Sequence, residues 1–148
     1  MKVLKIMLLW LGATFLLLQF VQIKVPPPPK ATPDDEIKAP KEIMALLKRS
    51  CYDCHSNHTK WPWYSKVSPI SLQVNSNVKN GRNALNFSIW NKYDEAKKQK
   101  LYQKIVDALR IKMPPAEYML IHKEARLTPQ ERKMLQDWAK SHIKEEEK

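Results

Sequence analysis

The sequence predicts an all-α protein, and three observations carry that expectation. Only two of its 148 residues are glycine, too few for the tight hairpins of a sheet protein. Long stretches rich in Lys, Glu, Gln and Leu favour helix on propensity. Within them, apolar residues recur at helical rather than alternating spacing. The length makes one domain the default, with little left over.

The first segment, "MKVLKIMLLWLGATFLLLQFVQIK", has two lysines and then an uncharged, largely apolar run from Ile6 to Ile23. At about 1.5 Å per residue that run spans roughly 27 Å, near the hydrocarbon thickness of a bilayer. A secretory signal has a shorter apolar core and a small-residue cleavage site, which "VQIKVPPPP" does not supply. Residues 1–24 therefore read as an uncleaved signal anchor, a transmembrane helix with Lys2 and Lys5 on the cytoplasmic side. The remaining chain is then exported to the periplasm. The alternative is a cleaved signal and a soluble periplasmic protein.

Residues 25–39 follow as a linker; "VPPPPKATPDDEIKAP" holds six of the chain's eleven prolines. Proline fixes φ and lacks a donor, so an extended, polyproline-like spacer is expected. The folded domain is expected over 40–148, beginning near Pro40.

Within that domain the pattern predicts about four helices. "PKEIMALLKRSC" places Ile43, Leu46, Leu47, Ser50 and Cys51 on one face, with Pro40 at its start. "TKWPWYSKVSP" reads as a loop broken by Pro62 and Pro69. "ISLQVNSNVKN" reads as a helix ended by Gly81 in a left-handed conformation. The longest helix is "NKYDEAKKQKLYQKIVDALRIK", with Leu101, Tyr102, Ile105, Val106 and Leu109 inward, stopped by Pro114 and Pro115. A last helix opens at "TPQE", with Thr128 as N-cap, Pro129 at the first position and Glu131 closing a capping box. Met134, Leu135, Trp138, Ala139 and Ile143 would face the core.

The net charge is +11, and a basic surface can mean nucleic acid, anionic lipid or an acidic protein partner. The lysines sit beside Glu and Asp on helical faces such as "YDEAKKQKLYQK", as on a solvated surface. No zinc-finger spacing, RNA-recognition signature or basic arm is present, so no nucleic-acid partner is expected.

The two cysteines stand in "CYDCHS", residues 51–56, with a histidine directly after the second. A redox Cys-x-x-Cys pair caps a helix N-terminus in a strand–helix fold. Here the thiols fall at a helix C-terminus in a chain without evident strands. Zinc needs four ligands, and consecutive Cys-His is awkward around one tetrahedral ion, even with His58 or His122 added. Haem fits better. Thiols three apart on one turn can add to the two vinyl groups of one porphyrin edge, and His55 then comes under the iron as proximal ligand. Such attachment occurs outside the cytoplasm, in agreement with the export signal. A covalent haem c would also enlarge a small four-helix core.

The sixth iron position has the candidates Met113, Met119, His58, His122 and His142. Met113 is preferred, because "RIKMPPAEY" presents its thioether on a strap stiffened by two prolines. His122 remains the alternative. His58 reads as surface and His142 as a cap of the last helix. Trp61, Trp63 and Tyr64 in "WPWYS" are candidate walls of a haem crevice, or ordinary core. Arg82 is a candidate propionate partner, or a surface arginine after a turn.

The chain at this point resembles a family, the small haem-binding domain of bacterial exported proteins related to c-type cytochromes. The matching residues are "CYDCHSNHTKWPWYS", "GRNALNFSIW" and "MPPAEYMLIHKEARLT", with Trp138 in the closing helix, so the resemblance runs from Pro40 to the end. It implies a small cytochrome c-like bundle around one covalent haem on Cys51 and Cys54, with His55 as axial ligand. Met113 matches the methionine of the family's Met-Pro-Pro motif, and His122 also matches a family histidine. No phosphate-cradling loop, Ser/His/Asp set or catalytic carboxylate pair is recognisable, and no enzymatic turnover is expected. One-electron transfer to an acidic redox partner is the leading reading. A haem-based gas or redox sensor is the alternative, and a peroxidase stands behind both.

Overall fold

A computed structural model describes residues 1–111 and 113–144; the last four residues of the expected domain, 145–148, lie outside them. All regular structure among the described residues is helical. Seven α-helices run α1 (Lys2–Leu18), α2 (Lys41–Ser50), α3 (Tyr52–His55), α4 (Ile70–Ala84), α5 (Glu95–Ile111), α6 (Ala116–Ile121) and α7 (Pro129–Lys140). Short 3₁₀ segments lie at Pro33–Asp35, Trp63–Lys66, Phe87–Lys92 and Lys123–Ala125.

The α-helical class is as expected, while the count exceeds four for local reasons. The Cys-x-x-Cys-His stretch forms its own single turn, α3, after the backbone breaks at Cys51 (φ −126°). Pro114 and Pro115 cut α6 off from α5. The expected terminator Gly81 does not end α4, which continues to Ala84, and no glycine has positive φ. Gly81 has a different task, described below.

The core is the meeting of three apolar stripes. α2 buries Ile43, Leu46, Leu47 and Ser50; α5 buries Leu101, Tyr102, Ile105, Val106 and Leu109; α7 buries Leu135, Trp138 and Ala139. α5 packs along α7, and α2 touches both α3 and α7. Met134, expected inward, is instead 42% exposed. It lies one position before Leu135, about 100° around the helix and off the buried stripe. An aromatic train, Tyr52–Phe87–Trp90–Tyr102–Trp138, runs through the core with successive centroids 4.9–6.2 Å apart.

α7 starts where the sequence places its cap. Thr128 Oγ1 accepts from the Glu131 N–H, and Glu131 reaches back to the Thr128 N–H at 2.9 Å. Arg49 also pairs with Glu131 at 2.9 Å, tying α2 to the head of α7. With the Arg49 and Thr128 bonds favouring its charged form, the Glu131 carboxyl is held down at about 2.

The linker is not a free spacer. Ile37 is 2% exposed and donates its N–H to the Phe87 carbonyl at 2.9 Å. Asn91 and Lys92 donate to the carbonyls of Asp34, Glu36 and Lys30, and Tyr52 Oη donates to Glu36. The core therefore reaches back past Pro40. α1 is shorter than the expected segment 1–24 and buries none of its residues. No helix among the described residues is long and apolar enough to cross a membrane. Gln19, just past α1, exchanges two bonds with the Ser68 backbone (3.0 and 3.1 Å), which seats the helix end beside α4.

Candidate haem site

Between α2–α3, α4 and α5 lies a cavity of about 500 Å³, within the ordinary range of roughly 300–1,000 Å³ for cofactor sites. Leu47, Leu85, Phe87, Leu101, Ile105, Leu109 and Leu135 give it apolar walls. Cys51, Cys54, His55 and Met113 all line it. Four residues from the motif and from the strap 58 positions later thus converge on one space.

The close approach of α4 makes that convergence possible. A Cβ on Gly81 would stand 2.5 Å from the Cys54 carbonyl oxygen and 3.0 Å from Cys54 Cβ. Only a residue without a side chain lets α4 pass so near α3. That contact brings the end of α4 under the histidine: His55 Nδ1 lies 3.1 Å from the Leu85 carbonyl oxygen. A carbonyl can only accept, so Nδ1 carries the proton and Nε2 keeps its lone pair. Burial lowers the pKa of His55, which keeps the ring neutral. Phe87 meets the ring edge-on, with centroids 6.3 Å apart.

Both thiols are free. They touch the cavity but are otherwise enclosed by protein. Burial pushes Cys51 up to about 12 and Cys54 up to about 11, each with a smaller push from a neighbouring group. At neutral pH neither is a thiolate, the opposite of a redox-active pair. No cluster of three or more His, Cys, Asp or Glu suited to a metal ion occurs among the described residues.

The wall also holds a hydroxyl with nothing to bond. Ser50 Oγ, one residue before Cys51, is buried without a hydrogen-bond partner, a costly state unless a ligand completes it. Asn77, Asn80, Lys104 and Asp107 add polar groups from α4 and α5. Neutral thiols, an imidazole with an open Nε2, a thioether, apolar walls and one unmet polar atom together fit a haem.

The other candidates lie elsewhere. His122 is engaged outside the cavity. Its Nδ1 lies 3.1 Å from a Glu124 carboxylate oxygen, and its Nε2 lies 2.7 Å from Tyr64 Oη. The carboxylate can only accept, so Nδ1 donates to it and Nε2 accepts from the phenol. Trp61 is 45% and Trp63 80% exposed, and neither lines the cavity. Arg82 donates to the Ser56 carbonyl and to Thr59 Oγ1, both at 2.8 Å, bracing the loop after the motif. His58 is exposed. His142 bonds the Trp138 carbonyl at 2.8 Å, at the end of α7. Met119, on α6, is not among the residues lining the cavity.

Sequence reasoning passed over Asp53 and Tyr118, whose carboxylate and hydroxyl bond at 2.7 Å across the cavity wall. Asp53 lies inside the Cys-x-x-Cys-His stretch, and Tyr118 follows the double proline. That neighbourhood was their only signal.

An all-helical core wrapped on a cavity of this make-up defines a haem-binding class of protein. The comparison with known families agrees: the family described as haem-binding domain matches residues 13–141, and the chain belongs to it. No curated protein and no solved structure matches the chain.

Proposed function

We propose that the chain is a c-type haem protein that transfers single electrons. Its haem would be held covalently by Cys51 and Cys54, with His55 and Met113 as the residues that would bind the iron. The observation that carries this reading is the meeting of those four residues in one cavity, with His55 Nδ1 occupied by a backbone carbonyl. Each thiol would add its S–H across one vinyl group, sulfur to the ring-side carbon and hydrogen to the other, which consumes no oxidant. Held there, the haem would supply a one-electron couple, and a thioether from Met113 would raise its potential relative to a second histidine. The chain's own contribution would be a largely apolar enclosure that brings His55 and Met113 to one space, with the His55 ring fixed by the Leu85 carbonyl. Lys104 and the further basic groups of a chain of net charge +11 suit brief docking to an acidic redox partner, with an association rate that falls as salt rises.

α1 would hold the domain at the cytoplasmic membrane on its periplasmic side; its large apolar residues, from Leu4 to Leu17, are exposed around the helix. N-terminal sequencing of native protein should find the chain starting at its first residues. A terminus beyond Ile23 would mean a cleaved signal and a soluble periplasmic protein.

One observation favours a sensor as second reading. Met113 stands on a strap after α5 rather than on a helix, so a gas could displace it. The ferrous protein with and without carbon monoxide separates the two. An electron carrier should keep a low-spin six-coordinate spectrum under the gas, and the Met113→Ala protein should bind it at once. Rapid, complete carbonyl formation by the unaltered protein would support the sensor.

A further inference from the structure

The strap bearing Met113 is held from α7. After α5 ends at Ile111, the Met113 N–H turns back to the Ala108 carbonyl at 3.0 Å. The carbonyls of the last helical turn and of the strap point away from any intrahelical donor, as at every helix C-terminus. One side chain reaches two of them. Arg132 Nη1 donates to the Leu109 carbonyl, and to the Met113 carbonyl at 2.7 Å. Arg132 is well placed for this. It sits one position after the Thr128–Glu131 capping box and donates its own N–H to the Thr128 carbonyl at 2.9 Å. A second bond, Gln136 Nε2 to the Val106 carbonyl at 3.4 Å, keeps α7 in register with α5. The guanidinium is also a permanent cation at the negative end of the α5 dipole.

We infer that Arg132 is the positioning residue of Met113. By joining the Leu109 and Met113 carbonyls to one guanidinium, it holds the methionine at the cavity wall and sets how firmly the sixth iron position is closed. Arg132 does not line the cavity; it acts through the strap. This inference rests on the reading of Met113 as iron ligand given above.

The test uses the matured, full-length haem protein with Arg132→Met, Arg132→Lys and, as reference, Met113→Ala. The readouts are the weak long-wavelength charge-transfer band of thioether-ligated ferric haem, the rate of carbon monoxide binding to ferrous protein, and amide hydrogen exchange at Met113 and at residues 116–118, the prolines between them having no amide hydrogen. Arg132→Met should keep its covalent haem and helix content yet lose much of the band. It should bind carbon monoxide about tenfold faster, in proportion to the fraction of molecules with the site open. Exchange over the strap should rise. Arg132→Lys should fall between, since an ammonium keeps the charge and the donors but not the planar, pre-organised NH2 group with which Nη1 serves both carbonyls. If Arg132→Met does not mature, Arg132→Lys carries the test by the same readouts. Band, gas-binding rate and exchange all within about twofold of the parent, while Met113→Ala loses the band, would overturn the role of Arg132 alone. A Met113→Ala protein that keeps the band would remove Met113 as ligand and this inference with it.

Discussion

Replacing Cys51 and Cys54 together by serine is expected to yield an exported chain that carries no haem after acid–acetone extraction. The parent should retain one haem per chain. Both thiols line the same cavity as His55, and both are neutral at physiological pH because burial raises them. Serine keeps the shape of each side chain, though smaller and more polar, and cannot form a thioether. Either single replacement leaves one bond, so the single variants should keep haem in lower yield. The measurement is a haem stain of the denatured chain beside its far-UV circular dichroism. The helix content should survive better than the stain, because Leu101, Ile105, Val106, Leu135 and Trp138 pack α5 against α7, and of the two cysteines only Cys51 touches the core they belong to.

The second large effect is expected at Gly81. Gly81→Ala puts a methyl 2.5 Å from the Cys54 carbonyl oxygen, a backbone atom that cannot turn away. α3 and α4 must separate, at a cost of about 1–3 kcal/mol typical of overpacking. The damage should not stop at stability. Separation draws the Leu85 carbonyl away from His55 Nδ1, so the imidazole loses the bond that fixes its tautomer. Urea midpoints and haem content of matured protein should both fall for Gly81→Ala, while the exposed neighbour Lys79→Ala should match the parent. A Gly81→Ala protein with parental midpoint and haem content would show that α3 and α4 do not meet as described.

Gly81 also shows where sequence reading stops. Near the end of an expected helix, glycine signals a left-handed cap, and that local rule was the reason to end α4 there. The residue is instead glycine because of a neighbour 27 positions earlier in the chain. No local pattern reports such a contact. Leu85 is harder still, since its contribution is a backbone carbonyl that any residue would offer. By contrast, the Thr128–Glu131 box and the Leu101–Leu109 stripe were legible, because capping and helical periodicity are local physics.

The aromatics of "WPWYS" misled for a related reason. Closeness in sequence to the cysteines suggested a crevice wall, but Pro62 and the 3₁₀ turn at Trp63–Lys66 carry the indoles outward. The cavity takes its aromatic lining from Phe87, whose segment read as a motif without a role, and from Tyr118. Arg82 read as a propionate partner or a surface arginine after a turn; its guanidinium instead serves the loop carbonyl of Ser56 and the hydroxyl of Thr59. For the pair Met113 and His122, the sequence preferred the methionine on its proline-stiffened strap and kept the histidine as the alternative. The fold puts one in the cavity wall and ties the other to Tyr64 and Glu124.

The measurement closest to the central claim is the intact mass of the exported, matured chain under denaturing conditions, taken with a thiol titration. Covalent attachment at Cys51 and Cys54 predicts the chain mass plus one haem, unchanged by acid–acetone, and no thiol free to react. A bare chain mass with two reactive thiols, from protein that bound haem before denaturation, would contradict it.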